Sequence, residues 1–265
     1  MTLRRAYIDT PLGQLHFAEA GSGTPVVMLH QTPRSHDEFR EVQTELAGRV
    51  RTIAMDMRGF GLSAPLPKPQ TIEGMAAGVL ALLDALTIPS AVLLGHHTGS
   101  AVALEVAAAA PDRVRALILS ATPWIDRQRR SGGHGTRVDE AEQHADGGHL
   151  TELWRQRQPY YPANRPDLLD RFVRDALAPG LDPAEGHRAC GRYAMDERIG
   201  LVRCPVLVLT PSDDPFASPA GPKVVAGLTN AERVVTATLD AAMIPAMEQC
   251  ADQVAAYALE FLERL

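Results

Sequence analysis

The stretch Ala91-Val92-Leu93-Leu94-Gly95-His96-His97-Thr98-Gly99-Ser100-Ala101 decides the fold. Four apolar residues suited to a buried strand run into Gly-x-x-x-Gly, and small residues at helical spacing follow (Ala101, Val102, Ala103, Leu104, Val106, Ala107). Strand, turn and helix in this order make a sharp elbow, because a glycine at each shoulder tolerates the backbone angles and close approach that the reversal needs. The residue at the apex, His97, is lifted above the edge of the sheet.

Working outward, the neighbouring segments supply the rest of a sheet. Residues 5–9 and 14–19 alternate apolar and polar around Pro11-Leu12-Gly13, which predicts an antiparallel hairpin. A continuous apolar run over 26–29 suits a strand covered on both faces, residues 50–55, 116–120 and 204–210 read as further strands, and residues 232–239 supply a last strand. Helical patterns lie between them at 36–46 and 71–86, with residues 245–265 forming a final helix. Thr71 is positioned as an N-cap with Glu73 in the first turn, while Gly74 sits where a capping-box carboxylate would be. Alternation of strand and helix predicts an α/β fold: a doubly wound, mostly parallel sheet with right-handed crossovers.

From residue 124 to 200 that rhythm breaks. Charge and glycine content rise, and helical patterns at 150–156 and 167–178 have no strand between them. Residues 1–123 and 201–265 therefore read as the core, and 124–200 as a helical insertion. His134, His144, His149 and His187 lie in the insertion without tight ligand spacing, so they do not suggest a metal site.

Composition narrows the class of function. The 265 residues suit one domain, with 45% hydrophobic and 22% charged residues. A net charge of −6 and the lack of a basic cluster argue against a nucleic-acid partner. Cys190, Cys204 and Cys250 form no close pair, which suggests neither a disulfide framework nor a zinc knuckle. No apolar leader and no membrane-length apolar run is visible, so a cytoplasmic protein acting on a small molecule, without a membrane, is expected. Oligomeric state is not encoded.

Four segments together resemble the α/β-hydrolase superfamily. They are the elbow, the turn Asp56-Met57-Arg58-Gly59-Phe60-Gly61-Leu62-Ser63, the strand end Asp213-Asp214-Pro215, and Ala242-Met243-Ile244-Pro245 with Glu248-Gln249. The resemblance implies the α/β-hydrolase fold, with the 124–200 insertion as a cap over the site. It implies Asp214 as the triad acid, with Asp213 second. It also implies oxyanion-hole donors at the backbone N–H groups of Thr98 and of Thr32, in the loop His30-Gln31-Thr32-Pro33. Asp56 and Arg58 are expected to pin loops.

Chemistry departs from the family at two positions. His97 occupies the place of the attacking Ser, Cys or Asp, and Met243 occupies the place of the general-base histidine. A thioether carries no proton at neutral pH, so Met243 cannot act as base. An imidazole at the apex reaches toward the space the missing ring would fill, which predicts a direct His97–Asp214 dyad working as general base. Non-covalent hydrolysis and lyase- or isomerase-type proton transfer on a carbonyl-containing substrate need only that dyad, and an acyl-imidazole is a third route. The alternative is a catalytically silent binding protein whose pocket survives and in which Met243 fills a gap.

His30, Gln31, Trp124 and Met243 are candidate pocket residues, and the Gln31 amide is a further donor to an anion. Trp154, Tyr160 and Tyr161 either line an apolar pocket or pack the cap. His30 and His96 read more readily as braces than as catalytic groups. A metal site from His30, His96 and His97 is disfavoured because adjacent residues on an elbow point apart, and no cofactor is implied.

Overall fold

A computed structural model describes residues 3–131, 139–140 and 142–265. Eight strands form one sheet: β1 (Arg4–Ile8), β2 (Leu15–Ala20), β3 (Pro25–Leu29), β4 (Arg51–Met55), β5 (Ala91–His96), β6 (Val114–Ser120), β7 (Val206–Pro211) and β8 (Val234–Leu239). Their spatial order is β1-β2-β4-β3-β5-β6-β7-β8. The β1–β2 and β2–β4 pairs are antiparallel, and every pair from β4–β3 across to β7–β8 is parallel. The expected doubly wound sheet is present, with β5 and its elbow near the middle.

Successive strand side chains point to opposite faces, and the parallel strands are apolar on both. Val27, Leu29, Leu93, Leu117 and Leu119 share one buried cluster, while Val26, Met28, Val92, Leu94 and Ile118 share the other. The first face is covered by α2 (Ile72–Ala85) and α3 (Thr98–Ala109), the second by α1 (Arg40–Leu46) and α11 (Ala251–Leu262). Each fully buried Leu, Val or Met contributes on the order of 2 kcal/mol, so these two faces hold the elbow from both sides. The Thr71 hydroxyl caps α2 by accepting from the Gly74 N–H at 3.0 Å.

Boundaries differ where backbone geometry overrides the pattern. Residues His36–Phe39 form a 3-10 turn before α1. The final helix divides into α10 (Ala246–Gln249) and α11 because Cys250, at φ −124° and ψ 35°, leaves the helical region. A short α9 (Gly221–Gly227) between β7 and β8 was not anticipated.

Between β6 and β7 lie α4 (Arg127–Ser131), α5 (Gly148–Arg157), α6 (Pro166–Ala176), α7 (Glu185–Arg192) and α8 (Met195–Arg198). Only α5 and α6 were expected; the others are short and polar. Leu153, Tyr161, Leu168 and Phe172 build a small core of their own, closed by Ile244 from the segment after β8. Cys190, Tyr193 and Met195 instead join the main core, so the insertion is fastened to the sheet along α7 and α8. Among the described residues no helix is long and apolar enough to cross a membrane.

Candidate active site

The elbow follows from β5 and α3 packing tightly against β3. His97 has φ 48° and ψ −114°, a conformation that costs a non-glycine residue on the order of 1–3 kcal/mol. The surroundings fix it. A Cβ at Gly99 would stand 1.9 Å from the Leu29 carbonyl oxygen, and one at Gly95 2.4 Å from that of Gly99, so both shoulders must be glycine. The His97 N–H donates to the Ser120 carbonyl at 3.0 Å, and the Ser100 hydroxyl donates to the Gly95 and Ser120 carbonyls at 2.7 and 2.9 Å.

At the apex, His97 Nε2 lies 2.7 Å from Asp214 Oδ2. The two atoms are in close contact but outside the angular range of an aligned hydrogen bond. The other oxygen of Asp214 accepts from the backbone N–H groups of Phe216 and Ala217 at 2.9 and 3.1 Å. Burial alone would raise the Asp214 carboxyl, but the His97 ring and the Phe216 N–H pull it down to about 2. Asp214 is fully buried, while the His97 side chain keeps 16% of its surface exposed.

The other two sheet-end histidines are fully engaged. His96 Nε2 lies 3.0 Å from the Ile244 carbonyl and Nδ1 3.1 Å from the Ser120 hydroxyl. Its ring stands edge-on to that of His97 with centroids 4.6 Å apart. Burial, then the neighbouring His97, lowers it to about 3, so it stays neutral. His30 Nδ1 lies 2.7 Å from the Gln31 carbonyl, and its Nε2 accepts from the Met57 N–H at 3.0 Å. That pattern assigns the proton to Nδ1. Burial lowers His30 to about 4. Both nitrogens of His30, expected as a pocket candidate and more readily as a brace, are thus engaged with loop backbone.

Gln31 is engaged as well. Its backbone N–H donates to Glu38 Oε2 at 2.7 Å and its side-chain amide to Glu38 Oε1 at 2.6 Å. One N–H of the amide expected as an anion donor is therefore directed at a buried carboxyl. Burial and the nearby Glu248 raise that carboxyl to about 8 against the pull of Arg34 and Gln31.

Thr32 and Thr98 are both buried, and their hydroxyls meet at 3.1 Å. The structure thus brings the two expected oxyanion segments together. As the first residue of α3, Thr98 has a backbone N–H with no acceptor inside its own helix. A Cβ at Gly186 in α7 would lie 2.4 Å from the Thr32 side chain, so the insertion rests directly on this loop.

Trp124 is half-buried against the main core, its indole N–H donating to Asp126 at 2.9 Å. A Cβ at Gly227 would lie 3.2 Å from its ring, which places the indole beside α9. Met243 is half-buried, and its N–H donates to Gln249 Oε1 at 3.0 Å, fixing the segment after β8. His187 lies 2.7 Å from Asp139, whereas His134 falls outside the described residues. The His30–His96–His97 metal grouping does not form; among the described residues one such group converges elsewhere, at His16, His36 and Asp56.

Two features had no signal in the sequence. One is a buried ionic network behind the oxyanion loop: fully buried Arg34 donates to Glu248 at 2.6 Å and to Asp175 of α6 at 3.0 Å. Arg171 joins it by donating to Asp37 at 2.7 Å. These partners are 134 to 214 residues apart, beyond any local pattern. The other is Tyr160 of the insertion edge-on to Phe216, two residues past Asp214, with centroids 4.8 Å apart. Phe216 is 53% exposed.

Comparison with known proteins agrees with this architecture. A family model described as the alpha/beta hydrolase fold matches residues 24–183, more than half of the chain. The chain belongs to the α/β-hydrolase fold family. It is 38% identical over 104 residues to a haloalkane dehalogenase from Agrobacterium fabrum, a stretch covering 39% of this chain and 34% of that protein. It is 28% identical over 177 residues to 2-(acetamidomethylene)succinate hydrolase from Mesorhizobium japonicum, covering 65% of this chain and 60% of that protein. Such matches span between about a third and three fifths of the relatives' own length. A thermophilic esterase from Thermogutta terrifontis superposes with a TM-score of 0.75 at 26% identity, over 98% of both chains.

Proposed function

We propose that the chain is an enzyme in which His97, oriented by Asp214, is the general base for a small carbonyl-containing substrate. The reading rests chiefly on one observation, the 2.7 Å approach of His97 Nε2 to Asp214 Oδ2 at the apex of the elbow. Asp214 stays ionised at neutral pH and favours a proton on Nε2, which leaves Nδ1 as the basic atom. In the hydrolytic route Nδ1 takes a proton from water as the water oxygen attacks the carbonyl carbon. The backbone N–H groups of Thr32 and Thr98 receive the resulting oxyanion, and Nδ1–H then returns the proton to the leaving group. In the lyase or isomerase route Nδ1 removes a proton beside the carbonyl, and the same donors hold the enolate oxygen. No hydroxyl, thiol or carboxylate stands at the apex, so no ester intermediate on the elbow is required.

The insertion is the proposed lid. Gly186 lies against Thr32 and Tyr160 against Phe216, which gives the lid direct purchase on the oxyanion loop and on the segment holding Asp214. The similarity to dehalogenases and other hydrolases favours hydrolysis over silent binding.

A screen of esters, lactones and activated carbonyl compounds with wild type and His97→Gln tests the reading. Turnover by wild type that falls on the order of 100- to 10,000-fold in the variant is expected for loss of a general base. Equal turnover in both, or binding without turnover in wild type, contradicts it. A serine-directed phosphonate serves as control, and stoichiometric labelling shows that the attacking atom lies elsewhere.

A further inference from the structure

A second cluster of imidazoles and a carboxylate lies outside the His97 site and plays no part in the proposed chemistry. His16 comes from β2, His36 opens the 3-10 turn before α1, and Asp56 directly follows β4. The antiparallel β2–β4 pairing brings the first and last together, with the Asp56 N–H donating to the His16 carbonyl at 3.0 Å. We propose that His16, His36 and Asp56 form a binding site for a divalent first-row transition-metal ion of the zinc or cobalt type.

One ligand atom from each residue lies within 4.8 Å of the other two. His16 Nδ1 is 2.9 Å from Asp56 Oδ2, and His36 Nδ1 is 2.8 Å from Asp56 Oδ1. Metal–nitrogen and metal–oxygen bonds of about 2.0–2.1 Å put tetrahedral ligand atoms roughly 3.3 Å apart, so the two His–Asp separations open slightly and the His16–His36 one, within 4.8 Å, closes toward that value. The carboxylate is already aimed, because the backbone N–H groups of His36 and Leu62 donate to its two oxygens at 2.7 and 2.8 Å. Such bonds hold a metal-binding carboxylate in place from behind. Gly61 closes the opposite side: a Cβ there would lie 2.3 Å from the Asp56 carboxylate.

Ligand type selects the ion. Two imidazoles and one carboxylate suit zinc, cobalt or nickel better than the all-oxygen preference of magnesium or calcium. The His36 side chain is 13% exposed, which leaves water a route to a fourth position. Coordination through Nδ1 requires each ring to carry its remaining proton on Nε2. The bound ion would tie β2, the turn before α1 and the Asp56 loop together.

The test is a titration of chelator-treated protein with cobalt(II), read by its visible d–d absorption, beside zinc(II) titrations read by thermal unfolding. Saturable cobalt bands, and a Tm that climbs with zinc concentration, are expected for wild type. His36→Gln weakens binding about tenfold or more, and His16→Gln does likewise, whereas His97→Gln leaves it unchanged. Metal-free melting of each variant establishes that it is folded, and the wild-type titration decides even if one variant is not. Absent cobalt bands in wild type, equal affinity in the His16 and His36 variants, or loss of binding in His97→Gln overturns the proposal. None of these readouts depends on whether His97 is a base.

Discussion

Two carboxylates at the same end of the sheet hold imidazoles, and they are finished differently. Asp56 receives four donors, two from backbone and two from His16 and His36. Asp214 receives two backbone donors on one oxygen and a single imidazole against the other. The first arrangement meets both oxygens of the carboxylate with a backbone donor and an imidazole each. The second leaves a ring that is held on one edge and partly exposed on the other, at a residue kept in a strained backbone conformation. What separates the two is the geometry around the rings, since the chemical groups are the same.

Amide substitution breaks the comparison most sharply. Asp214→Asn keeps an oxygen for the Phe216 and Ala217 N–H groups but cannot balance a charged ring. Activity should drop on the order of 100-fold or more while stability, read by urea unfolding, moves by about 1 kcal/mol or less. Asp56→Asn should do the reverse. One amide N–H₂ must face donors that now point at a carboxylate oxygen, at a cost of about 3 kcal/mol or more, before any effect on turnover is considered. Similar stability losses in the two variants would erase the distinction.

A smaller effect separates His97 from His30. The folded protein holds His30 near 4, whereas the unfolded chain titrates near 6.5. Between those values the unfolded state binds the extra proton, so stability is complete above about 6.5 and declines as pH falls toward 4. The full loss is on the order of 3 kcal/mol, part of it already present at pH 5. Urea midpoints at pH 7 and 5 should differ in wild type and differ less in His30→Gln. The weakest expected effect is that of Phe216→Ala, which removes an exposed ring. Its stability should stay within about 0.5 kcal/mol of wild type, while diethylpyrocarbonate modification of His97, read by peptide mass, becomes faster. An unchanged rate would show that the Tyr160–Phe216 pair does not screen the ring.

The sequence carried the fold because its signals are local. Gly95 and Gly99 mark a reversal that admits no side chain, and apolar runs such as 91–94 state that both faces are covered. Thr71 announced its own helix. The His97–Asp214 contact was legible as well, with Asp213 as second choice, since an absent histidine at Met243 and an unexpected one at His97 leave the ring facing that strand end. What could not be read is set by long-range partners. Nothing around Gln31 says that Glu38 will take its amide, and nothing near Arg34 names Glu248. His30 read as a brace and a pocket candidate alike, and no local pattern names the Met57 N–H that meets its second nitrogen. The short helices α4, α7 and α8 are ordered by packing on the core, which polar sequences do not advertise.

Nitrogen NMR of His97 tests the central claim most directly, with its resonances assigned by their loss in His97→Gln. In the neutral ring, the account predicts a proton on Nε2, toward Asp214, and a bare Nδ1. A neutral ring protonated at Nδ1 would mean that Asp214 does not orient it, and the proposed base would not exist.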